Sequence, residues 1–183
     1  MKIAAGKFKG RNITAPLGIR PLSIRVKESC FNILKGEVEG KRVLDLFAGS
    51  GSLGIEAISQ GAKEAHFVEI KKKCLKVIEK NLKSFTIVSE ARTYQKDALS
   101  AIKDFSCYKE QFDLIFLDPP YNEGLLIKAL QLLEEYAILA PSGYLVALCC
   151  QKDEFLEESS KFSLIVNRRY GQTRLLIYRK SDS

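Results

Sequence analysis

The most chemically loaded stretch of this 183-residue sequence is Asp118-Pro119-Pro120-Tyr121. Two consecutive prolines fix the backbone and remove two N–H donors, so the loop offers carbonyl acceptors, a carboxylate and an aromatic face. An acceptor-only cluster suits an exocyclic amino group. The Asp118 side chain and the Pro119 carbonyl can each take one hydrogen of a base –NH2, turning the nitrogen lone pair toward an electrophile. Tyr121 can stack on a flipped-out base, a contact worth about 1–3 kcal/mol. Taken alone, the tetrapeptide reads equally well as a rigid turn after a strand.

A second constellation lies upstream. Val43-Leu44-Asp45-Leu46-Phe47-Ala48-Gly49-Ser50-Gly51-Ser52-Leu53-Gly54 carries an apolar strand into G-x-G-x-x-G at the mouth of a helix. Glycines there allow a tight turn and a close ligand, and the helix N-terminus supplies free N–H groups. Glu69 closes the next strand about 20 residues later, where a carboxylate can accept from both ribose hydroxyls. A nicotinamide dinucleotide and a purely structural turn both fit this pattern. Asp45 shifts the balance, because beside a pyrophosphate at about 4 Å it would meet several kcal/mol of repulsion at intermediate dielectric. S-adenosylmethionine carries an α-ammonium, a sulfonium and ribose hydroxyls without any phosphate, and it suits a pocket lined by Asp45, Glu69 and Asp97.

The elements that must position these residues form an alternating series. Candidate strands at Arg42–Phe47, Glu64–Glu69, Ala91–Gln95, Phe112–Leu117 and Gly143–Cys149 alternate with candidate helices at Ser52–Gln60, Lys71–Ser84 and Gly124–Glu135. That is the pattern of an α/β fold, a parallel sheet covered by helices. Ser163–Arg168 and Thr173–Tyr178, separated by Arg169–Gln172, predict a C-terminal hairpin. Residues 1–40 depart from the alternation, with a small hairpin at Lys2–Lys9 and Arg11–Thr14 and a helix at Ile24–Leu34. They read as a basic appendage to a catalytic domain spanning 41–183.

Charge follows the same division. The chain is 46% hydrophobic, enough for a real core, and carries a formal charge of +7. Met1–Lys35 holds eight basic residues and one acid, Glu28, so this segment accounts for the whole excess. Lys7, Lys9, Arg11 and Arg20 on a glycine-punctuated arm suit phosphate contacts, which set register and affinity without reading sequence. The Lys71–Lys73 run reads as a solvated helix face. Apolar runs are far shorter than the roughly 20 residues of a bilayer span. Five cysteines without a C-x-x-C pair and a single His66 predict reduced thiols and no metal site. The expectation is a soluble, cytoplasmic, monomeric protein.

Gly6-Lys7-Phe8-Lys9-Gly10-Arg11, then Arg20-Pro21, Arg25-Val26-Lys27-Glu28 and Phe31-Asn32, followed by the glycine loop and Asp118-Pro119-Pro120-Tyr121, resemble the bacterial 16S ribosomal RNA guanine-N2 methyltransferase D family. That family is a branch of the class I S-adenosylmethionine-dependent methyltransferases. The resemblance runs over nearly the whole chain. Its family-specific part is the basic N-terminal signature, which departs from the usual polar residues at Leu22 and Ile24. It implies a Rossmann-like, seven-stranded, mostly parallel sheet with helices on both faces and an N-terminal hairpin. It further implies S-adenosylmethionine as donor and one guanine of 16S rRNA, in the small ribosomal subunit or its assembly intermediate, as substrate.

By motif position, Asp45, Gly49 and Gly51 would line the methionine end of the donor, Glu69 would bind the ribose, and Asp97 with Ala98 would border the adenine. Phe47, Ala48, Ser50 and Ile70 would belong to the same donor site. Asp118, Pro119, Pro120 and Tyr121 would form the target-base site, with Asp118 also facing the donor. Lys7, Lys9, Arg11, Arg20 and Arg25 would contact RNA. The residues alone leave two other readings open. One is an amino-methyltransferase acting on adenine N6 or cytosine N4, of DNA or another RNA. The other is a catalytically silent rRNA-binding assembly factor.

Overall fold

Five parallel strands and an antiparallel C-terminal hairpin make one sheet in the computed structural model, which describes residues 1–18 and 22–180. The strands are β1 (Arg42–Asp45), β2 (Glu64–Val68), β3 (Ala91–Tyr94), β4 (Phe112–Leu117), β5 (Leu139–Cys150), β6 (Phe162–Tyr170) and β7 (Thr173–Lys180). Their order across the sheet is β3-β2-β1-β4-β5-β7-β6. The helices are α1 (Ile24–Ile33), α2 (Ser52–Ser59), α3 (Lys72–Phe85), α4 (Ala98–Cys107) and α5 (Leu125–Glu135).

The central strands are apolar at successive positions because both of their faces are covered. Val43, Leu114, Phe116, Val146 and Leu148 share one core with α1, α2 and α3. Leu44, Ile115, Leu117, Leu145 and Ala147 point the other way, into a core built with α4 and α5. Strand order reverses at the β1–β4 pair, since β2 and β3 lie on one side and β5 on the other. Ligands of open α/β sheets bind at the carboxyl ends of strands at such a switch.

Four local outcomes differ from the sequence pattern. Helix α4 was not anticipated, although Ala98, Ala101, Ile102 and Phe105 are buried at helical spacing and the Asp97 side chain caps the helix by accepting from Ser100 N–H at 2.9 Å. Strand β5 begins at Leu139, four residues before the expected start, because Pro141 and Gly143 interrupt the apolar run while the chain still pairs with β4 through an irregular register. The N-terminal hairpin reduces to a single antiparallel bridge, Lys2 to Asn12, around a 3-10 turn at Gly6–Phe8. The C-terminal hairpin is tighter than expected, with Arg169 and Tyr170 inside β6 and only Gly171-Gln172 turning the chain.

One carboxylate anchors the start of the N-terminal arm. Glu56 of α2 is fully buried and accepts from Ala4 N–H at 2.9 Å and Ala5 N–H at 2.9 Å. It also pairs with the ammonium of Lys27 at 2.8 Å, and Lys27 in turn donates to Lys2 O at 2.6 Å. Ile3 and Ile13 thereby reach the same core as α1 and α2. Removing one partner of a buried ion pair strands the other charge, at a cost of about 3–5 kcal/mol. Glu56→Ala should therefore lower the unfolding free energy by about that amount in a urea titration, and should expose the first fifteen or so residues to limited proteolysis.

Candidate active site

Four loops at the carboxyl edge of the sheet enclose a cavity of about 670 Å³. Asp45 ends β1, Phe47, Ala48, Gly49 and Ser50 come from the loop after it, and Glu69 and Ile70 directly follow β2. Asp97 and Ala98 open α4, and Asp118, Pro119, Pro120 and Tyr121 follow β4. All of these residues were singled out in the sequence, and the fold brings them to one rim. Gly51 is the exception. It caps α2 in a left-handed conformation, φ 77°, and faces Phe67, Ile55 and Ile78 behind the wall. Gly54 lies deeper, where an added Cβ would fall 2.3 Å from the Phe67 ring. Its glycine is therefore demanded by packing.

Asp45 is 1% exposed. Its Oδ2 accepts from Gly54 N–H at 3.2 Å, while its Oδ1 is buried with no hydrogen-bond partner among the described residues. Burial pushes its carboxyl up to about 7, against the Gly54 bond that lowers it, and the nearby Asp118 and Glu69 carboxylates add to the rise. The unpaired oxygen fits a cationic donor entering from the cavity.

Glu69 works as a brace. Its Oε2 accepts from Gly49 N–H at 2.9 Å and its Oε1 from Lys71 N–H at 2.7 Å, tying the glycine loop to the start of α3. Each oxygen keeps a second lone pair for a ligand. Asp97 likewise spends one oxygen on the α4 cap.

The D-P-P-Y loop is anchored on its far side. Asn122 N–H donates to Asp153 Oδ1 at 2.7 Å, and Cys150 N–H donates to Asp153 Oδ2 at 2.8 Å. The Tyr121 hydroxyl lies 3.3 Å from Thr173 Oγ1 at the start of β7. Asp153 went unnoticed in the sequence, as did Asn81. The latter is 2% exposed on α3 and donates to Ser50 O at 3.0 Å and Thr14 O at 2.9 Å, joining the glycine loop to the arm. A buried asparagine facing inward from an amphipathic helix was the available signal. Gly18, Leu22, Lys96 and Leu125 also line the cavity; nothing in their spacing marked them.

The proposed RNA contacts are unevenly placed. Lys7 is half exposed, 3.7 Å from Glu90, and Lys9 is exposed. Arg11 donates to Ser84 O at 2.6 Å and lies 4.4 Å over the Phe85 ring, so packing already engages it. Arg25 stands over Tyr170 at 5.9 Å. Arg20 lies outside the described residues. Among the described residues, no group of three or more His, Cys, Asp or Glu side chains could hold a metal, and no helix is long and apolar enough to cross a membrane.

The profile of the family described as conserved hypothetical protein 95 matches residues 1–179. The ribosomal RNA small subunit methyltransferase D of Haemophilus influenzae is 34% identical over 181 residues, covering 97% of this chain and 93% of that protein. The chain belongs to this methyltransferase D family. The provisionally named rRNA methyltransferase YlbH of Bacillus subtilis is 38% identical over 98% of this chain and 99% of its own length. Among solved structures, the provisionally named methyltransferase yhhF of Escherichia coli superposes with a TM-score of 0.87 at 28% identity, covering 100% of this chain and 99% of that one. The methyltransferase D fold is thus shared from end to end, N-terminal arm included.

Asp45 gives this family member a pH signature. With a folded value near 7 against 3.8 for the free carboxyl, the native state binds the extra proton between those values. Stability is then highest below about pH 4 as far as this group is concerned, and falls by at most about 1.4 kcal/mol per unit as pH rises toward 7. Asp45→Asn should remove that slope, which urea unfolding at a series of pH values between 4 and 8 will measure.

Proposed function

We propose that this protein transfers a methyl group from S-adenosylmethionine to the exocyclic N2 amine of one guanine in 16S rRNA, within the small ribosomal subunit or its assembly intermediate in the cytoplasm. One observation carries the reading: the acid-lined glycine loop and the D-P-P-Y loop face one cavity, large enough for a donor and an attacking amine. Family membership supports RNA as the substrate class. The guanine is inferred from the family resemblance, since D-P-P-Y by itself addresses only an amino group.

The residues present suit the donor. Asp45 Oδ1 would accept from its α-ammonium, the second lone pairs of Glu69 from its ribose hydroxyls, and Asp97 with Ala98 would border its adenine. Phe47, Ala48, Gly49, Ser50 and Ile70 would close around it, and Gly51 would act indirectly by capping α2. When bound, S-adenosylmethionine supplies a methyl group activated by the sulfonium and open to in-line displacement.

Asp118 and the Pro119 carbonyl would each accept one amine hydrogen, and Pro120 would keep the loop rigid while Tyr121 stacks on the base. Asp118 would take the proton that the nitrogen sheds as its bond to the methyl carbon forms and the sulfur–carbon bond breaks. It need not be a strong base, because the amine becomes acidic only during transfer. Much of the rate would come from proximity and orientation. Lys7, Lys9 and Arg25, with Arg11 and Arg20, would meet RNA phosphates. Specificity would come from the shape of the RNA particle.

Mass spectrometry of nucleosides from unmodified small subunits treated with the protein should show N2-methylguanosine; label found only as N6-methyladenine in duplex DNA would overturn the reading. Asp118→Ala should reduce transfer by about 10²–10⁴-fold or more. Calorimetric titration of the donor onto the same variant should show an affinity within about tenfold of wild type. Near-normal turnover would sink the amine-holding role.

A further inference from the structure

A second cavity, of about 440 Å³, shares Tyr121 with the first. Its other walls are Asn122, Cys150, Gln151, Lys152 and Gln172. They come from three segments remote in sequence: the end of the D-P-P-Y loop, the turn after β5, and the two-residue turn between β6 and β7. The walls are tied together. Gln151 Nε2 donates to Gly171 O at 2.8 Å, joining two of the turns, and the Cys150 thiol donates to Asn122 Oδ1 at 3.2 Å. Asp153 beneath them has one oxygen on Asn122 N–H and the other on Cys150 N–H.

The chemistry of this cavity is opposite to that of the donor site. Five carboxylates and two ammoniums line the first cavity, whereas the second is lined by three carboxamides, one ammonium and no carboxylate. Carboxamides donate and accept, as base edges and ribose hydroxyls require, and an ammonium pairs with phosphate as a point charge. The volume lies within the usual range of small-molecule sites. A strand whose target base is stacked on Tyr121 must place its next nucleotide within one backbone step of that ring. The second cavity is the recess that Tyr121 opens onto.

We propose that this cavity binds the nucleotide adjoining the methylated one in the RNA strand, with Lys152 on its phosphate and Gln151 and Gln172 on its base and ribose. The proposal rests on the reading of the protein as an RNA methyltransferase. The test uses the full chain carrying Lys152→Ala and Gln172→Ala, singly and together. Three readouts apply: binding of short fluorescent single-stranded RNAs across a salt series, KM and kcat on rRNA lacking the modification, and calorimetric donor titration. The double variant should bind RNA about tenfold more weakly and raise KM by a similar factor with kcat largely kept. Lys152→Ala should flatten the salt dependence by about 0.7 log unit, the share of one single-strand phosphate. Donor affinity should stay within about twofold, which also shows that the variants are folded. Unchanged RNA affinity and salt slope would overturn the proposal even with guanine methylation intact. If wild type transferred nothing to guanine, the functional reading would fall, and the binding arm would still decide the cavity.

Discussion

Everything at the candidate site depends on the parting of two neighbouring strands. β1 and β4 pair in parallel, and Leu46 N–H to Phe116 O at 3.1 Å is a bond at the carboxyl end of that pair. Beyond it the chain after β1 turns into α2, on one face of the sheet, and the chain after β4 leads to α5, on the other. The loops that follow the two strands line the space between them. The crevice exists because both faces of the sheet must be covered, and two adjacent strands send their helices to opposite sides.

Around that crevice, polar side chains hold backbone that hydrophobic packing alone would leave loose. Glu69 ties the glycine loop to α3, Asp153 ties the D-P-P-Y loop to the end of β5, and Glu56 ties the N-terminal arm to α2. Glu69 and Asp153 each use their two oxygens on backbone N–H groups of separate segments, and Glu56 accepts from two successive N–H groups of the arm. Asn81 then couples two of these units, holding Thr14 of the arm and Ser50 of the glycine loop with one amide. The arm and the donor loop are consequently parts of one hydrogen-bonded assembly.

What could be read from the sequence was what repeats or sits in a row. β1 and β4 stood out as continuous apolar runs, and the glycine loop, Glu69, Asp97 and D-P-P-Y stood out because each closes a strand. Helix α4 was missed although its apolar spacing is regular, and the early start of β5 was hidden by Pro141 and Gly143. Glu56 and Asp153 carry no local signature, since their partners lie far away in the chain or on backbone that any residue would supply, and Asn81 is marked only by its place on the apolar face of α3. The charge reading needed the same correction. Lys27 was counted with the basic arm, yet it is 2% exposed and neutralised by Glu56, and Arg11 is engaged by Ser84 and Phe85. Fewer cations face outward than the segment's net charge suggests.

The Asp45 carboxyl has one further consequence. Because burial and two neighbouring carboxylates lift it to about 7, the group near neutrality carries a proton about as often as a charge. A cation held against Oδ1 would favour the charged form, so binding there would displace that proton. Occupancy and acidity would then be linked through a single oxygen atom, with uptake of a cationic ligand accompanied by proton release into the surrounding water.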